Sequence, residues 1–229
     1  MRARRADRPL YRIGRAPNPW AWPDWLRAAT DRTFGNRFDD PQGDYRVLYA
    51  GSSALGAFVE VLARFRPDPH VAAELARISG DAKGALPPGH LDAAWLGVRR
   101  IGTATVAGRF AEIGHSESLA ELERALAARL AHYEIATLDA SAIRLSAPRR
   151  FTQEISRYVY ELTAARGRRA FDGIAYLSKL GDEFRNWAIF EPIGRSAPRR
   201  LLTGIRVAKI ARDDAALRDA LDLLGIRLS

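Results

Sequence analysis

The sequence contains no cysteine, and this absence excludes several kinds of chemistry at once. Without thiols the chain forms no disulfide bond, offers no thiolate nucleophile and binds no zinc through sulfur. No apolar run approaches the ~20 residues that a membrane-spanning helix needs. The opening segment MRARRADR is basic, and because no apolar stretch follows it, it does not have the form of a secretory signal. We therefore expect a soluble cytoplasmic protein.

Most of the short motifs that identify enzyme classes are also missing. The chain has no GxxxxGK[ST] phosphate-binding loop, no GxGxxG segment after a strand and no GxSxG nucleophile turn. The histidines lack the paired spacing of metal ligands, so we predict no metal site; they are His70, His90, His115 and His132.

Lysine is nearly absent, although the chain is strongly basic. Lys and Arg together number 36 against 27 Asp and Glu, so the net charge is +9, yet only three of the basic residues are lysine. A positive balance is typical of nucleic-acid-binding proteins, but a GC-rich coding sequence also produces many arginines and alanines. The charge by itself leaves both interpretations open.

The 229 residues, 47% of them apolar, suffice for one large domain with a substantial core. We divide the chain into a basic, solvated tail at residues 1–9 and a single domain at 10–229. Segments with strand character lie at 10–13, 45–50, within 98–113, and at 173–177, 187–190 and 201–210. Segments with helical periodicity lie at 55–62, 118–133, 152–165 and 213–224, with a weaker one at 70–78 before a loop at 80–89. Strands at both ends with helices between them predict an α+β fold.

Several polar residues stand where the predicted strands begin or end. Such positions are where functional sites collect, because a rigid scaffold holds the side chains around a cleft. These residues are Arg12, Arg37, Tyr49, Glu60, Ser178 and Asn186.

Glu60 is the most informative of them. Ser52 or Ser53 is the expected N-cap of its helix, and Glu60 lies beside the apolar stripe of that helix. Gly56, one turn earlier, leaves room for a ligand to approach the carboxylate. The alternative is an ordinary surface ion pair between Glu60 and Arg64, worth ~0.2–0.5 kcal/mol.

Three tryptophans, at positions 20, 22 and 25, alternate with prolines near the N-terminus. They could stack on bases or on another ring. The flanking prolines favour a packed cover over the core, and we predict that role.

The order of four segments resembles the RES domain, a family named after an Arg, a Glu and a Ser. These segments are Tyr11-Arg12, Gly35-Asn36-Arg37-Phe38-Asp39, Tyr45-Arg46-Val47-Leu48-Tyr49-Ala50 and Ala57-Phe58-Val59-Glu60. The later segments at 173–178 and 186–191 resemble the C-terminal half of the family. The resemblance spans about residues 10 to 195, and the middle, about 66–150, looks expanded relative to compact members. Asn36 stands where the family usually has Gly, and Phe38 where it usually has Trp or Tyr.

The resemblance implies a fold and an activity. RES proteins are toxins of bacterial RES–Xre toxin–antitoxin modules, with small mixed or antiparallel sheets that form an NAD cleft similar to that of ADP-ribosyltransferases. Members consume NAD+ by phosphorolysis or hydrolysis, or transfer ADP-ribose to a protein. For this chain we therefore expect NAD+ as substrate, phosphate as a possible co-substrate and no prosthetic group. A cognate Xre-type antitoxin is the expected partner, with no membrane and no direct nucleic-acid contact.

By the same resemblance, the NAD+ pocket would be lined by Arg12, Arg37, Tyr49, Ser178, Asn186 and Tyr11, with Glu60, Arg37 and Ser178 as the catalytic set. Cleavage of the nicotinamide–ribose bond leaves a cationic ribose, which a carboxylate stabilises. Planar arginine forks suit the pyrophosphate. An aromatic ring suits the nicotinamide, and a serine hydroxyl suits the ribose. ADP-ribosylation of a protein stays open as an alternative activity, and non-enzymatic nucleic-acid binding as a more distant one.

Overall fold

In the computed structural model, the described residues 1–67, 89–145, 148–192 and 201–229 are built around a mixed eight-stranded sheet. The helix predicted at 70–78 and nearly all of the loop predicted at 80–89 lie outside these residues. The remaining helices and strands combine into a single α+β domain, so the predicted class is confirmed. The strands form one large sheet and one two-stranded sheet, rather than several small ones.

The strands of the large sheet are β1 Ala3–Arg4, β2 Leu10–Arg15, β3 Val47–Gly51, β5 Arg99–Val106, β6 Phe110–Glu112, β7 Gly173–Ser178, β8 Gly181–Phe190 and β9 Leu202–Lys209. Their order across the sheet is β1-β6-β7-β8-β3-β2-β5-β9. The pairs are antiparallel except β6 with β7, which run parallel. The smaller, parallel sheet pairs β4 His90–Leu91 with β10 Arg227–Leu228.

Seven α-helices are described in these parts of the chain: α1 Ala54–Leu62, α2 Ala94–Gly97, α3 Ser116–Ala125, α4 Ala127–His132, α5 Ala140–Leu145, α6 Arg149–Glu161 and α7 Ala215–Leu224. The single helix predicted at 118–133 is divided into α3 and α4, because the backbone leaves helical dihedral angles at Leu126. No Pro or Gly marks this break in the sequence. No helix in the described ranges is long and apolar enough to cross a membrane.

Helix α1 forms for reasons that the sequence makes visible. Ser53 caps it, because the Ser53 hydroxyl accepts a hydrogen bond from the backbone N–H of Gly56 at 3.0 Å. Phe58, Val59 and Leu62 on its inner face are fully buried. The helix therefore follows β3 after a short turn and packs on the sheet, which fixes the position of Glu60 beside the buried face.

The segment predicted as a solvated tail is partly built into the sheet, so that prediction was too simple. Ala3 and Arg4 pair with Ala111 and Phe110 of β6. The N-terminal ammonium group forms an ion pair with Glu121. Backbone pairing and this ion pair anchor the first residues, and their basic composition gave no sign of either contact.

Both faces of the large sheet are covered by apolar side chains. Helix α6 packs on one part of the first face, and α1 with α7 on another part. On the opposite face, Trp20 is 3% exposed and packs with Leu48, Trp187 and Ile189. Trp20 thus has the covering role that we predicted for the tryptophan segment.

Candidate active site

One row of residues crosses four adjacent strands of the sheet. Tyr11 in β2 lies opposite Gly51 in β3, Gly51 lies opposite Asn186 in β8, and Asn186 lies opposite Tyr176 in β7. Residues directly opposite each other in antiparallel strands have side chains on the same face. The row therefore places Tyr11, Asn186 and Tyr176 on one side of the sheet.

Glu60 joins this row from helix α1. The side-chain Nδ2 of Asn186 donates a hydrogen bond to Oε1 of Glu60 at 2.7 Å. Asn186 is buried at 3% exposure, whereas Glu60 is exposed. The sheet thus holds an otherwise solvent-facing carboxylate in one orientation. The alternative Glu60–Arg64 ion pair is not formed in the described part of the chain.

Arg37 approaches the same place from the loop before β3. Its guanidinium carbon lies 5.7 Å from the ring centre of Phe38 and 5.5 Å from that of Tyr176. Nη2 donates to the carbonyl oxygen of Arg144 at 2.8 Å, while Nη1 is buried and has no hydrogen-bond partner within the described ranges. One strong donor of this guanidinium is therefore unused.

These side chains influence one another's pKa. Burial lowers the pKa of Arg37, and Tyr176, Glu60 and Tyr49 partly offset that effect. Burial raises the pKa of Tyr176, and the charge of Glu60 raises it further while Arg37 lowers it. Each of these side chains therefore lies in the electrostatic field of the others.

The loop that carries Arg37 is held by Asp39, whose importance sequence reasoning missed. The buried carboxylate of Asp39 accepts hydrogen bonds from the backbone N–H groups of Phe34 and Asn36, at 3.0 and 2.8 Å. It also accepts one from the Tyr49 hydroxyl at 3.0 Å. The spacing of Asn36 and Asp39 in a turn-like segment was the available signal, because Asp side chains commonly bind nearby backbone N–H groups in turns.

Helix α6 fixes the same loop from the other side. Gln153, Thr152 and Ser156 donate side-chain hydrogen bonds to the three successive carbonyl oxygens of residues 36, 37 and 38, at 3.2, 2.8 and 2.7 Å. Because every one of these donors is buried, the path of the loop is rigidly determined. The position of Arg37 follows from that path.

Tyr49 has its hydroxyl fully engaged. It donates to Asp39 and accepts from the backbone N–H of Phe38 at 3.0 Å. Burial, followed by the charge of Asp39, raises the pKa of Tyr49 well above its ordinary value. The ring is half-buried and has a fixed orientation. Its stacking on a nicotinamide ring stays a prediction.

Arg12 occupies the gap where β2 and β3 separate after their single pair at Tyr11 and Gly51. Its Nε donates to the carbonyl oxygen of Pro19 at 2.7 Å and its Nη1 to that of Tyr49 at 2.6 Å. Burial lowers the pKa of Arg12 to about 10. Like Arg37, it forms no ion pair with any carboxylate of the described residues, so both cations are only partly compensated.

Ser178 ends β7, two residues beyond Tyr176, where a register shift precedes the turn into β8. It is 1% exposed, and its Oγ accepts a hydrogen bond from the N–H of Leu180 at 2.9 Å. The hydroxyl proton itself has no acceptor within the described residues. The structure thus places Ser178 on the strand that carries Tyr176, and its predicted contact with ribose remains a prediction.

A cavity of about 160 Å³ lies behind Tyr176 and is lined in part by Glu112, His115, Arg144 and Arg185. A larger space of about 350 Å³ lies beside Trp25, away from the residues above. Glu60 lines neither of these two cavities. Its side chain is exposed to solvent beside the sheet.

The geometry brings together four of the predicted residues, namely Glu60, Asn186, Arg37 and Tyr49, and adds Tyr176 and Asp39. Tyr11 shares the row of Asn186, and Arg12 binds the backbone of Tyr49.

Compared with known families, the chain matches the sequence model of the RES domain over residues 9–206. Searches of curated proteins and of solved structures return no match.

Proposed function

Because the chain belongs to the RES-domain family, which is found in RES–Xre toxin modules, we propose that it is a toxin that cleaves NAD+ at the nicotinamide–ribose bond. Cleavage by water would make it an NAD+ glycohydrolase, and cleavage by phosphate an NAD+ phosphorylase. Either reaction would deplete cellular NAD+. An Xre-type antitoxin is the partner that would neutralise it.

The main support for this proposal is the environment of the exposed Glu60 carboxylate. The buried side-chain amide of Asn186 holds it, and the guanidinium of Arg37, which has no ion-pair partner among the described residues, lies in its electrostatic field. A solvent-facing carboxylate gains little stability from such an anchor, so the anchor is better explained by a need for one orientation. Arg37, with an unused Nη1, supplies positive charge near the carboxylate. A dinucleotide has the matching groups, because its ribose becomes cationic during cleavage while its pyrophosphate is anionic.

The chemical step can be written with these residues. The bond between ribose C1′ and the nicotinamide nitrogen breaks, and its electron pair leaves with the nitrogen, so nicotinamide departs as a neutral molecule that needs no general acid. The remaining ribose is an oxocarbenium-like cation. The Glu60 carboxylate stabilises this cation and holds the ribose hydroxyls. A water or phosphate oxygen then bonds to C1′, and when water attacks, its proton passes to solvent.

The other residues bind and orient the substrate. Arg12 and Arg37 would hold the pyrophosphate through planar N–H forks, a geometry that a lysine ammonium does not have. Tyr49 would pack against the nicotinamide ring. Ser178 would donate its hydroxyl proton to the ribose, and Tyr11 would line the pocket from the β2 end of the row. Asn186 would act mainly through Glu60, because its amide donor is already engaged there.

The direct test is to incubate the purified protein with NAD+, with and without inorganic phosphate, and to separate the products by chromatography. Free ADP-ribose together with nicotinamide supports hydrolysis, and ADP-ribose 1″-phosphate formed only with phosphate supports phosphorolysis. Glu60→Gln should release nicotinamide about 10²–10³-fold more slowly than the wild type. Glu123→Gln, at an exposed position of α3, is the matched control and should retain full activity.

Adenylate-labelled NAD+ separates the alternative activity from these two. Label that stays on a protein after denaturation would indicate ADP-ribosyl transfer in place of hydrolysis or phosphorolysis. No loss of NAD+ under any of these conditions would contradict the proposal as a whole. Salt-sensitive binding of DNA or RNA without NAD+ loss would then favour the nucleic-acid interpretation.

A further inference from the structure

Two arginines oppose each other across a pair of strands on the α1 side of the sheet. Arg15 in β2 lies directly opposite Arg99 in β5. Like charges in this arrangement destabilise a sheet. Neither residue forms an ion pair with a carboxylate in the described parts of the chain. The sheet therefore carries an unfavourable contact that its own side chains do not relieve.

Arg64 adds a third charge to this pair. It lies in the short 3-10 turn Ala63–Phe65 that continues helix α1. Burial lowers the pKa of Arg99, and the charges of Arg15 and then Arg64 lower it further. The three guanidinium groups therefore interact, and Arg64 likewise has no carboxylate partner among the described residues.

Arg99 is held in place while its donors stay unused. Its guanidinium carbon lies 5.5 Å from the ring centre of Trp95, so an aromatic face supports the cation. Its Nε is buried without a hydrogen-bond partner, as is Nε1 of Trp95, with respect to the described residues. A positioned guanidinium with free donors suits an oxyanion, which can accept two of its N–H groups at once.

The cluster adjoins the candidate active site through helix α1 and strand β2. Arg64 follows Glu60 by four residues, or about 6 Å along the helix axis. Arg15 follows Tyr11 by four residues in β2, so the two side chains project from the same face of the sheet. Because Tyr11 lies in the row of Asn186, that face is also the one on which Asn186 binds Glu60.

We infer that Arg15, Arg64 and Arg99 form a phosphate-binding subsite that holds the adenosine-side phosphate of NAD+ while Glu60 faces the nicotinamide ribose. This inference rests on the proposed function, because it assigns one end of the proposed substrate. It explains why three uncompensated arginines stand at one end of the region that contains Glu60.

Binding measurements with three ligands test the assignment. Nicotinamide mononucleotide has only the phosphate nearer the reacting ribose, whereas ADP-ribose and inorganic pyrophosphate have two phosphates. In calorimetric titrations at low salt, Arg99→Gln and Arg64→Gln should weaken binding of ADP-ribose and pyrophosphate by about tenfold. Their affinity for nicotinamide mononucleotide should stay within twofold of the wild type. Arg124→Gln, an exposed arginine on α3, should change none of the three affinities.

A stability measurement shows whether the variants are folded. Because each substitution removes like-charge repulsion, the melting temperature of Arg99→Gln and Arg64→Gln without ligand should equal or exceed that of the wild type. A protein that loses affinity while keeping its melting temperature has lost a binding contact, and not its fold.

Several results would overturn the subsite. Unchanged ADP-ribose and pyrophosphate affinities in both variants would do so, and so would an equal loss for nicotinamide mononucleotide. If Arg99→Gln and Arg64→Gln changed only the KM for inorganic phosphate during phosphorolysis, the cluster would bind the attacking phosphate and not a phosphate of NAD+. Unaltered ligand affinities with weaker binding of an acidic partner protein would assign it to protein recognition. Failure of the wild type to cleave NAD+, with the pyrophosphate difference intact, would contradict the proposed function and leave the phosphate subsite standing.

Discussion

The side-chain amide of Asn186 holds the carboxylate of Glu60 across 2.7 Å, although the two residues are 126 positions apart in the chain. A strand residue from the C-terminal half thereby orients a helix residue from the N-terminal half. The donor is neutral, so it fixes the carboxylate without adding a charge beside it. A carboxylate at position 186 would instead repel the carboxylate of Glu60.

The substitution Asn186→Asp tests this relationship through pH. It places two carboxyl groups in hydrogen-bonding contact, and such a pair has one strongly raised pKa because both members resist ionising together. Below that raised pKa the pair retains a proton and Glu60 is less often ionised. We expect kcat to fall by roughly tenfold or more near neutral pH and to recover as pH rises. The measurement is kcat from about pH 5 to pH 9.

A change in the shape of the pH profile is the distinguishing result. If Asn186 only contributed to packing, the variant would lose the same fraction of activity at every pH. That outcome would contradict the assignment of Asn186 as a positioning residue for Glu60. Asn186→Ser, a neutral hydrogen-bonding replacement, is the control and should leave the shape of the profile unchanged.

Glu60→Gln should separate catalysis from binding. Glutamine keeps the side-chain shape and still offers Oε1 to Asn186, but it has no negative charge to stabilise a cationic ribose. We expect kcat to fall by about 10²–10³-fold. The Kd for ADP-ribose should stay within a few-fold of the wild type. Because Glu60 is exposed, the free energy of unfolding should change by less than about 0.5 kcal/mol. Near-normal turnover would refute the mechanism.

Local features of the fold could be predicted from the sequence. Ser53 as the cap of α1, the apolar stripe of that helix and Gly225 at the end of α7 were all visible as short-range patterns. Gly225 adopts a φ of 65°, the left-handed conformation that glycine accepts without strain. These features depend on neighbours a few residues away, so a single sequence contains the information that determines them.

Contacts between distant segments could not be predicted in the same way. The sequence indicated that Glu60, Arg37 and Asn186 belong to one site, with help from the family resemblance. It did not indicate that Tyr176 packs against Arg37, or that β1 pairs with β6. Such contacts depend on strand register and loop paths that are fixed only when the whole sheet assembles. Strand register also determines that Arg15 lies opposite Arg99, so the sequence did not indicate that contact either.

Asp39→Asn should destabilise the loop that carries Arg37. The buried carboxylate accepts from two backbone N–H groups and from the Tyr49 hydroxyl. Asparagine replaces one acceptor oxygen with an NH2 group, which leaves at least one of these donors without a partner. We expect a loss of about 1–3 kcal/mol in the free energy of unfolding, measured by urea denaturation, and a higher KM for NAD+. Asp219→Asn, at an exposed position of α7, is the control, and equal stabilities for the two variants would contradict this role.

Arg37→Lys should weaken substrate binding more than it slows turnover. The arginine uses one terminal nitrogen on the carbonyl oxygen of Arg144, lies near both the Phe38 and the Tyr176 ring, and keeps Nη1 unused. A lysine ammonium is a compact charge without that planar fork, so it cannot keep the carbonyl contact and also present a paired donor to pyrophosphate. We expect the KM for NAD+ to rise about tenfold while kcat stays within about threefold.

The same substitution should also make the KM depend on pH. Burial lowers the pKa of Arg37, and the guanidinium nevertheless stays charged because its ordinary pKa is so high. A lysine starts from a pKa of about 10.4, and burial lowers that value further. As the pH rises toward that lowered value, the ammonium loses its proton and its attraction for phosphate. The KM of Arg37→Lys should therefore increase with pH more steeply than that of the wild type. Arg124→Lys, at an exposed site, should follow the wild type throughout, and a KM for Arg37→Lys that also does so would remove Arg37 from the pyrophosphate site.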